Sequence, residues 1–448
     1  MKKITGEYMK LRRHNLTGEN IPELVRALRG AHGDDEELRA LVEGIIGRVR
    51  DDGDEALVSL TREFDCPDFS LDQLRVPPEE IEAAALAAPA PLMEALKVAA
   101  ENIRLFHQHE MRGSWTASMR HSQMLGQRMI PVDRAGLYVP GGGAAYPSTV
   151  LMTVIPAQVA GAKEIFICTP PGADGRVNRA VIAAAGFMGI KEMYRVGGAQ
   201  AIAAMAYGTD TIRQSDVIVG PGNVFVTEAK RQVYGRVGLD SLAGPSEVVI
   251  IASASAQPDL IAADLLAQVE HGSGAIAVLV CSSEQLASAV EEQAFALADE
   301  LGIDGALLER ISLVIAEGDD PIGLAVTFSN RFAPEHLQIH TPHPEQDIHD
   351  ITAAGAVFLG EDVCTAYGDY VAGSNHVLPT AGTARFGSAL SVENFLRKVA
   401  VISLIPMAIS ELTPPLVELA ETEGLKAHAR AAQLRLEKFG LPAEDEQD

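Results

Sequence analysis

From residue 129 to residue 301 the chain repeats one pattern: a short apolar run, a tight turn, and a longer segment with apolar positions three and four apart. Nothing else in the sequence restricts the fold as strongly. Strands are expected at 129–132, 135–139, 164–168, 192–196, 216–219, 247–251 and 275–280. Helices are expected at 148–159, 178–187, 199–206, 223–234, 260–270 and 283–301. Parallel strands need a crossover of a dozen or more residues, and these helices supply it. The expectation is an α/β fold with two incomplete Rossmann-like doubly wound domains facing a cleft.

Smaller helical pieces flank this core. Segments 21–28, 36–64 and 78–111 carry helical periodicity with acidic residues near their starts, and Pro77-Pro78-Glu79-Glu80 makes a favourable helix opening. The tail from 392 onward reads as helical, with a last helix starting at Thr413-Pro414-Pro415 and running to about Lys438. Residues 443–448 read as disordered. The expected division is an N-terminal helical extension (1–30), a first Rossmann-like domain with helical scaffold (31–134 and 247–390), a second Rossmann-like domain (135–246) and a C-terminal helical tail (391–448). That tail is too short to form a core alone and is expected to dock on something, a second subunit included.

Composition narrows the function. A formal charge of −25 argues against a nucleic-acid backbone binder, which needs a basic surface. Four cysteines, Cys66, Cys168, Cys281 and Cys364, are far apart with no CxxC spacing, as expected for small buried hydrophobes in a reducing compartment. The first residues lack the apolar stretch of a secretory signal, and the apolar segments 150–162 and 399–407 are too short or too interrupted by proline to span a bilayer. The expected location is the cytoplasm, with no membrane partner.

Five segments carry chemistry, each with a plainer alternative. There is no complete GxGxxG fingerprint. Glycine turns at 136–142 (GLYVPGG) and 220–223 (GPGN) follow strands, where backbone N–H groups either face a phosphate or simply make sharp turns. Gln268 and His271 lie three apart on one helix face, as a metal pair or a capping pair. Arg331-Phe-Ala-Pro334-Glu335-His336 sets two acid/base-capable side chains after a proline, or else opens a helix with an exposed histidine. The loop from Gly368-Asp369 to Asn375-His376 is a site candidate or a turn with capping side chains. Glu423 and His428, five apart, converge only if the helix unwinds near Gly424. His14, His32, His107, His109, His121, His340, His343 and His349 receive no role.

Taken in order, these segments resemble the histidinol dehydrogenase family from about residue 35 to 440. The resemblance rests on GLYVPGG, VGGAQAIAA (196–204), GPGNVFVTEAKRQV (220–233), AGPSE (243–247), LLAQVEHG, APEHL, GDYVAGSNHVLPT and EGLKAHAR. It implies two successive NAD-dependent oxidations of L-histidinol to L-histidine through a bound aldehyde, the final steps of histidine biosynthesis. It implies one zinc ion per subunit, held by Gln268, His271, Asp369 and His428. It also implies an intertwined homodimer in which His428 and Glu423 come from the other subunit. His336 is the implied proton acceptor in both oxidations, and Glu335 activates water between them. Ser246, His376 and Glu423, with the metal ligands and His336, match substrate contacts. Tyr138, Gln200 and Asn223 match NAD contacts. The segment Glu361–Tyr367 departs from the family's Thr-Pro-Glu pattern beside Asp369, which leaves a related zinc- and NAD-dependent dehydrogenase of a non-imidazole alcohol, such as a sulfonated propanediol, as the alternative.

Overall fold

Why the chain folds as it does is clearest where glycine and proline punctuate it. A computed structural model describes residues 10–30, 35–120, 123–141, 145–272 and 274–439. The chain begins with β1 (Arg12–Leu16), α1 (Ile21–Arg29), α2 (Glu36–Asp52) and α3 (Asp54–Phe64), then α4 (Pro78–Ala87) and α5 (Ala90–His109). Next come β2 (Trp115–Ser118), β3 (Met124–Pro131), β4 (Arg134–Tyr138), α6 (Pro147–Ala160), β5 (Glu164–Thr169), α7 (Arg179–Phe187) and β6 (Met193–Arg195). The alternation continues through α8 (Gly198–Tyr207), β7 (Val217–Val219), α9 (Val224–Val233), β8 (Gly238–Leu239), β9 (Glu247–Ala252), α10 (Pro258–Val269), β10 (Ile276–Cys281) and α11 (Glu284–Leu301). After α12 (Gly305–Leu308) follow β11 (Ile311–Ala316), α13 (Pro321–Phe332), β12 (His336–His340), α14 (Pro344–Asp347), β13 (Ala356–Leu359) and α15 (Thr365–Tyr370). The chain closes with β14 (Leu396–Ser403), α16 (Pro406–Thr422) and α17 (Lys426–Lys438).

The fold is α/β and Rossmann-like, with two parallel sheets in one compact unit, residues Met1–Glu110 and Asp133–Phe395. The six-stranded sheet has the order β1-β11-β10-β9-β12-β13, and the five-stranded sheet the order β6-β5-β4-β7-β8. Every pairing in both is parallel. Central strands are buried on both faces, as sheets covered by helices require: β9, β11 and β12 expose no residue. A second unit, Met111–Val132 with Leu396–Asp448, holds an antiparallel sheet β14-β3-β2 and the helix pair α16 and α17. Among the described residues no single helix is long and apolar enough to cross a membrane. All four cysteines are free, three of them buried.

Several expectations are corrected. Residues 12–16 are not part of a helical extension but an edge strand paired with β11. The segment 36–64 is two helices, because Gly53 takes φ +55°, a left-handed value no helix interior accommodates. Pro89 likewise opens a new helix after α4. The tail is not helical throughout, since 396–403 forms β14 against β3. Pro414 and Pro415 lie inside α16 rather than starting the last helix, which begins at Lys426 after Gly424 (φ +75°). Gly142, Gly143 and the segment 443–448 lie outside the described residues, as do His32 and His121.

One buried ion pair secures the turn after β7. At Gly220, φ is +117° and a Cβ would collide with the Tyr138 carbonyl oxygen, so only glycine fits. The Gly220 N–H donates to Asp240 Oδ2 at 2.7 Å, and Lys230 Nζ donates to the Gly220 carbonyl and to Asp240 Oδ1, both at 2.6 Å. Both charged side chains are 2% exposed. Removing one partner of a buried pair strands the other charge, so Lys230→Met is expected to cost about 3–5 kcal/mol. Denaturant titration checks this, with Lys230→Met/Asp240→Asn expected to recover most of the loss.

Candidate active site

The sequence following α13 builds the centre of the site. Phe332 ends the helix, Ala333 takes a left-handed φ of +49°, and Pro334 leads directly into β12. Glu335 and His336 therefore sit at the start of a buried strand, 7% and 3% exposed, not on an exposed helix opening. Glu335 Oε2 accepts from Ser246 Oγ at 2.5 Å and from the Glu247 N–H at 2.8 Å, both at the start of neighbouring β9. His336 Nδ1 lies 3.3 Å from the Glu247 carbonyl oxygen and 3.5 Å from Glu335, while Nε2 lies 3.4 Å from Asp369 Oδ1. With Nδ1–H directed at a carbonyl, a neutral His336 presents a lone pair at Nε2.

Electrostatics follow from this crowding. Burial alone would lower the His336 pKa, but the carboxylates of Glu335 and Asp369 outweigh it and raise the imidazole to about 9. Burial raises the Glu335 carboxyl, against the pull of His336 and its two hydrogen-bond donors. Asp369 ends below its ordinary value: burial works upward, yet His336, His376 and His271 prevail. Behind the pair, burial pushes Glu247 up to about 7 although Arg29 of α1 stands 3.3 Å away. Arg29 also donates to the Phe332 carbonyl, so one guanidinium ties the end of α13 to the start of β9.

The loop around Asp369 is held by a gap in another helix. Pro156 lies inside α6 and has no N–H for the Met152 carbonyl. Asn375 Nδ2 donates to that carbonyl at 2.7 Å. Next to it, His376 Nδ1 stands 2.9 Å from the Asp369 carbonyl oxygen and Nε2 stands 3.2 Å from Thr149 Oγ1 of α6. Asn375 and Thr149 carry no role in the sequence reading. The signal that points to them is a proline inside an otherwise apolar helix.

Gln268 is buried on the last turn of α10, and His271 is exposed just beyond it. Gln268, His271 and Asp369 offer one amide, one imidazole and one carboxylate. Gln268 Nε2 is buried without a hydrogen-bond partner, and the His271 charge is felt at Asp369. Such a nitrogen-and-oxygen donor set suits a borderline divalent ion such as zinc. Among the described residues no group of three His, Cys, Asp or Glu is poised for a metal. In the second unit, Glu423 and His428 line one largely apolar groove of about 700 Å³ where α16 gives way to α17.

Tyr138, Gln200 and Asn223 meet in one cavity of about 680 Å³ at the C-terminal ends of β4 and β5. The Gly198 N–H donates to the Tyr138 hydroxyl at 3.1 Å, and Asn223 caps α9 by accepting from the N–H groups of Phe225 and Val226. Ligands in doubly wound folds bind outside strand ends of this kind. Asp65, which the sequence reading overlooks, also lines this cavity, and burial pushes its carboxyl up to about 6.

Two doubly wound sheets, one with a cavity at its strand ends and the other with a buried carboxylate–imidazole pair, define an α/β oxidoreductase. The histidinol dehydrogenase family model matches residues 28–436. A histidinol dehydrogenase of Thermosynechococcus vestitus is 48% identical over 409 residues, 90% of this chain and 94% of that one. One of Methanothermobacter thermautotrophicus is 48% identical over 419 residues, 93% and 97% of the two chains. The crystal structure of histidinol dehydrogenase from Elizabethkingia anophelis superposes with a TM-score of 0.90 at 34% identity, covering 97% of this chain and all of that one. The chain belongs to the histidinol dehydrogenase family.

Proposed function

We propose that the protein oxidises L-histidinol to L-histidine in two NAD-dependent steps through a bound aldehyde. The observation that carries the reading is His336, a buried imidazole whose Nε2 lies beside Asp369, with a second carboxylate at Glu335. The relatives compared above are named for histidinol, and none supports the alternative of a sulfonated diol.

His336 Nε2 removes the hydroxyl proton as a hydride leaves the carbinol carbon, and Tyr138, Gln200 and Asn223 line the cavity that would hold NAD, the hydride acceptor. Glu335, steadied by Ser246 and the Glu247 N–H, accepts a proton from water as it adds to the aldehyde and returns it to the former carbonyl oxygen, leaving a neutral hydrate. His336 then takes the hydroxyl proton of the hydrate while the second hydride departs. Gln268, His271 and Asp369, with His428 of a second copy, would hold one zinc ion per subunit. When bound, it supplies a positive centre that fixes the substrate's imidazole and amino nitrogens. His376, with Glu423 of a second copy, completes the substrate pocket, and the α16–α17 groove serves an intertwined homodimer. The protein acts in the cytoplasm, without nucleic-acid or membrane partners.

Product analysis tests the reading. Two NADH per L-histidinol with histidine as product are expected, with activity lost to a chelator and restored by zinc. No turnover of histidinol would refute it.

The electrostatics add a pH dependence. The base works only when neutral, and its neighbours raise its pKa, so activity is lost as pH falls. We expect kcat/KM to rise through the neutral range and level at or below about 9, since a cation on Asp369 weakens that carboxylate's pull. A flat profile from pH 6 to 9 would exclude His336 as the base.

A further inference from the structure

The space between α10 and the six-stranded sheet is apolar along β9 and polar along β12. Val248, Ile250 and Ala252 of β9 join the core that contains Ile261 and Leu265 of α10. Their register partners on β12 are His336, Gln338 and His340, which therefore point to the same face. On α10, Asp264 and Gln268 are four apart and both buried. A row of polar side chains thus runs beneath the helix where aliphatic ones would pack.

Most of this row is unsatisfied. Both ring nitrogens of His340 are buried with no hydrogen-bond partner, and the buried Gln338 amide makes no well-formed hydrogen bond. His340 Nε2 lies 4.0 Å from Asp264 Oδ2. The Gln338 amide lies against the same carboxylate and partly offsets the burial that pushes Asp264 up to about 6. Buried polar groups left this way are costly unless water bridges them. Burial also holds His340 below its usual pKa, against the charge of Glu361. Glu361 is half-buried, follows β13 and accepts from the Gln257 N–H at 3.1 Å, so the row ends near the surface. From His336 to His340 it spans about 13 Å of strand.

The reaction has a use for such a row. For a side chain R, the balance is RCH2OH + H2O + 2 NAD+ → RCOO− + 2 NADH + 3 H+. Protons leave twice by way of His336 and a third time when the acid ionises, and His336 is itself only 3% exposed. We propose that Gln338, Asp264 and His340, bridged by water, form the path by which protons leave His336 for solvent near Glu361. Gln338 orders water and both passes and accepts hydrogen bonds, and Asp264 and His340 take up and release the proton. The proposal rests on the oxidation assigned above.

The test compares the wild-type protein with Gln338→Leu and His340→Leu, using L-histidinol and NAD in H2O and D2O. Filling an unsatisfied polar row with aliphatic side chains is expected to leave the melting temperature equal or higher. We expect kcat to fall about tenfold with KM little changed, and the solvent isotope effect on kcat to rise. Should either leucine variant fail to fold, Gln338→Met and His340→Gln decide by the same readouts. An unchanged kcat and isotope effect in folded variants overturns the proposal, as does slower turnover without a larger isotope effect, which marks a structural role. If the wild-type protein forms no NADH from histidinol, the oxidation itself is refuted. If it does and the variants match it, only the proton path fails.

Discussion

Replacing His336 by Asn is expected to lower kcat about a thousandfold, within the range that positioned acid/base groups contribute. KM for histidinol should change by no more than a few-fold, because the asparagine amide keeps a polar atom near the Glu247 carbonyl and leaves Gln268, His271 and Asp369 in place. The size of the effect follows from the surroundings. The ring is 3% exposed, and no other neutral base shares its contacts with Glu335, Glu247 and Asp369. Steady-state kinetics at pH 8 measure it. A loss below tenfold would show that the proton leaves by another group.

Glu335→Gln is expected to separate the two oxidations. Glutamine has nearly the same shape and its Oε1 still accepts from Ser246 and the Glu247 N–H, so the strand start should be undisturbed. It cannot take a proton from water. Histidine formation should fall about a hundredfold, with the first hydride transfer much less affected. Stopped-flow absorbance of NADH should then show close to one equivalent formed quickly and the second slowly, with aldehyde trapped by a hydrazine reagent. Losing the Glu335 charge also removes one of the two carboxylates that raise the His336 pKa, so the acidic limb of the pH profile should move to lower pH. Equal slowing of both transfers would assign water activation elsewhere.

Periodicity located most of the parallel core because central strands and crossover helices obey local rules. The strands at 164–168 and 247–251 and the helices at 148–159 and 283–301 stand within a residue or two of their observed ends. What it missed depends on distant partners. Arg12–Leu16 has no local feature of a strand, and only its pairing with β11 makes it one. The same holds for β14, whose partner β3 precedes it by about 270 residues. At the site, Glu335 and His336 read locally as an ordinary helix opening. Their chemistry depends on Ser246 and Glu247 from another strand, which no spacing reveals, and the family resemblance supplied what spacing could not. Asn375 was hidden for a related reason, since its partner is a carbonyl freed by a proline more than two hundred residues away.

The pairing of β14 with β3 also sets an order of events during synthesis. Strands β2 and β3 leave the ribosome well before the strand that completes their sheet, which follows about 270 residues later. A nascent chain can close its parallel sheets while this small sheet still lacks an edge, and closing a loop of this length is slow. Chains shortened before residue 396 therefore retain Glu335 and His336 yet expose a strand edge open to aggregation. Completion of the second unit's sheet thus waits on residues 396–403.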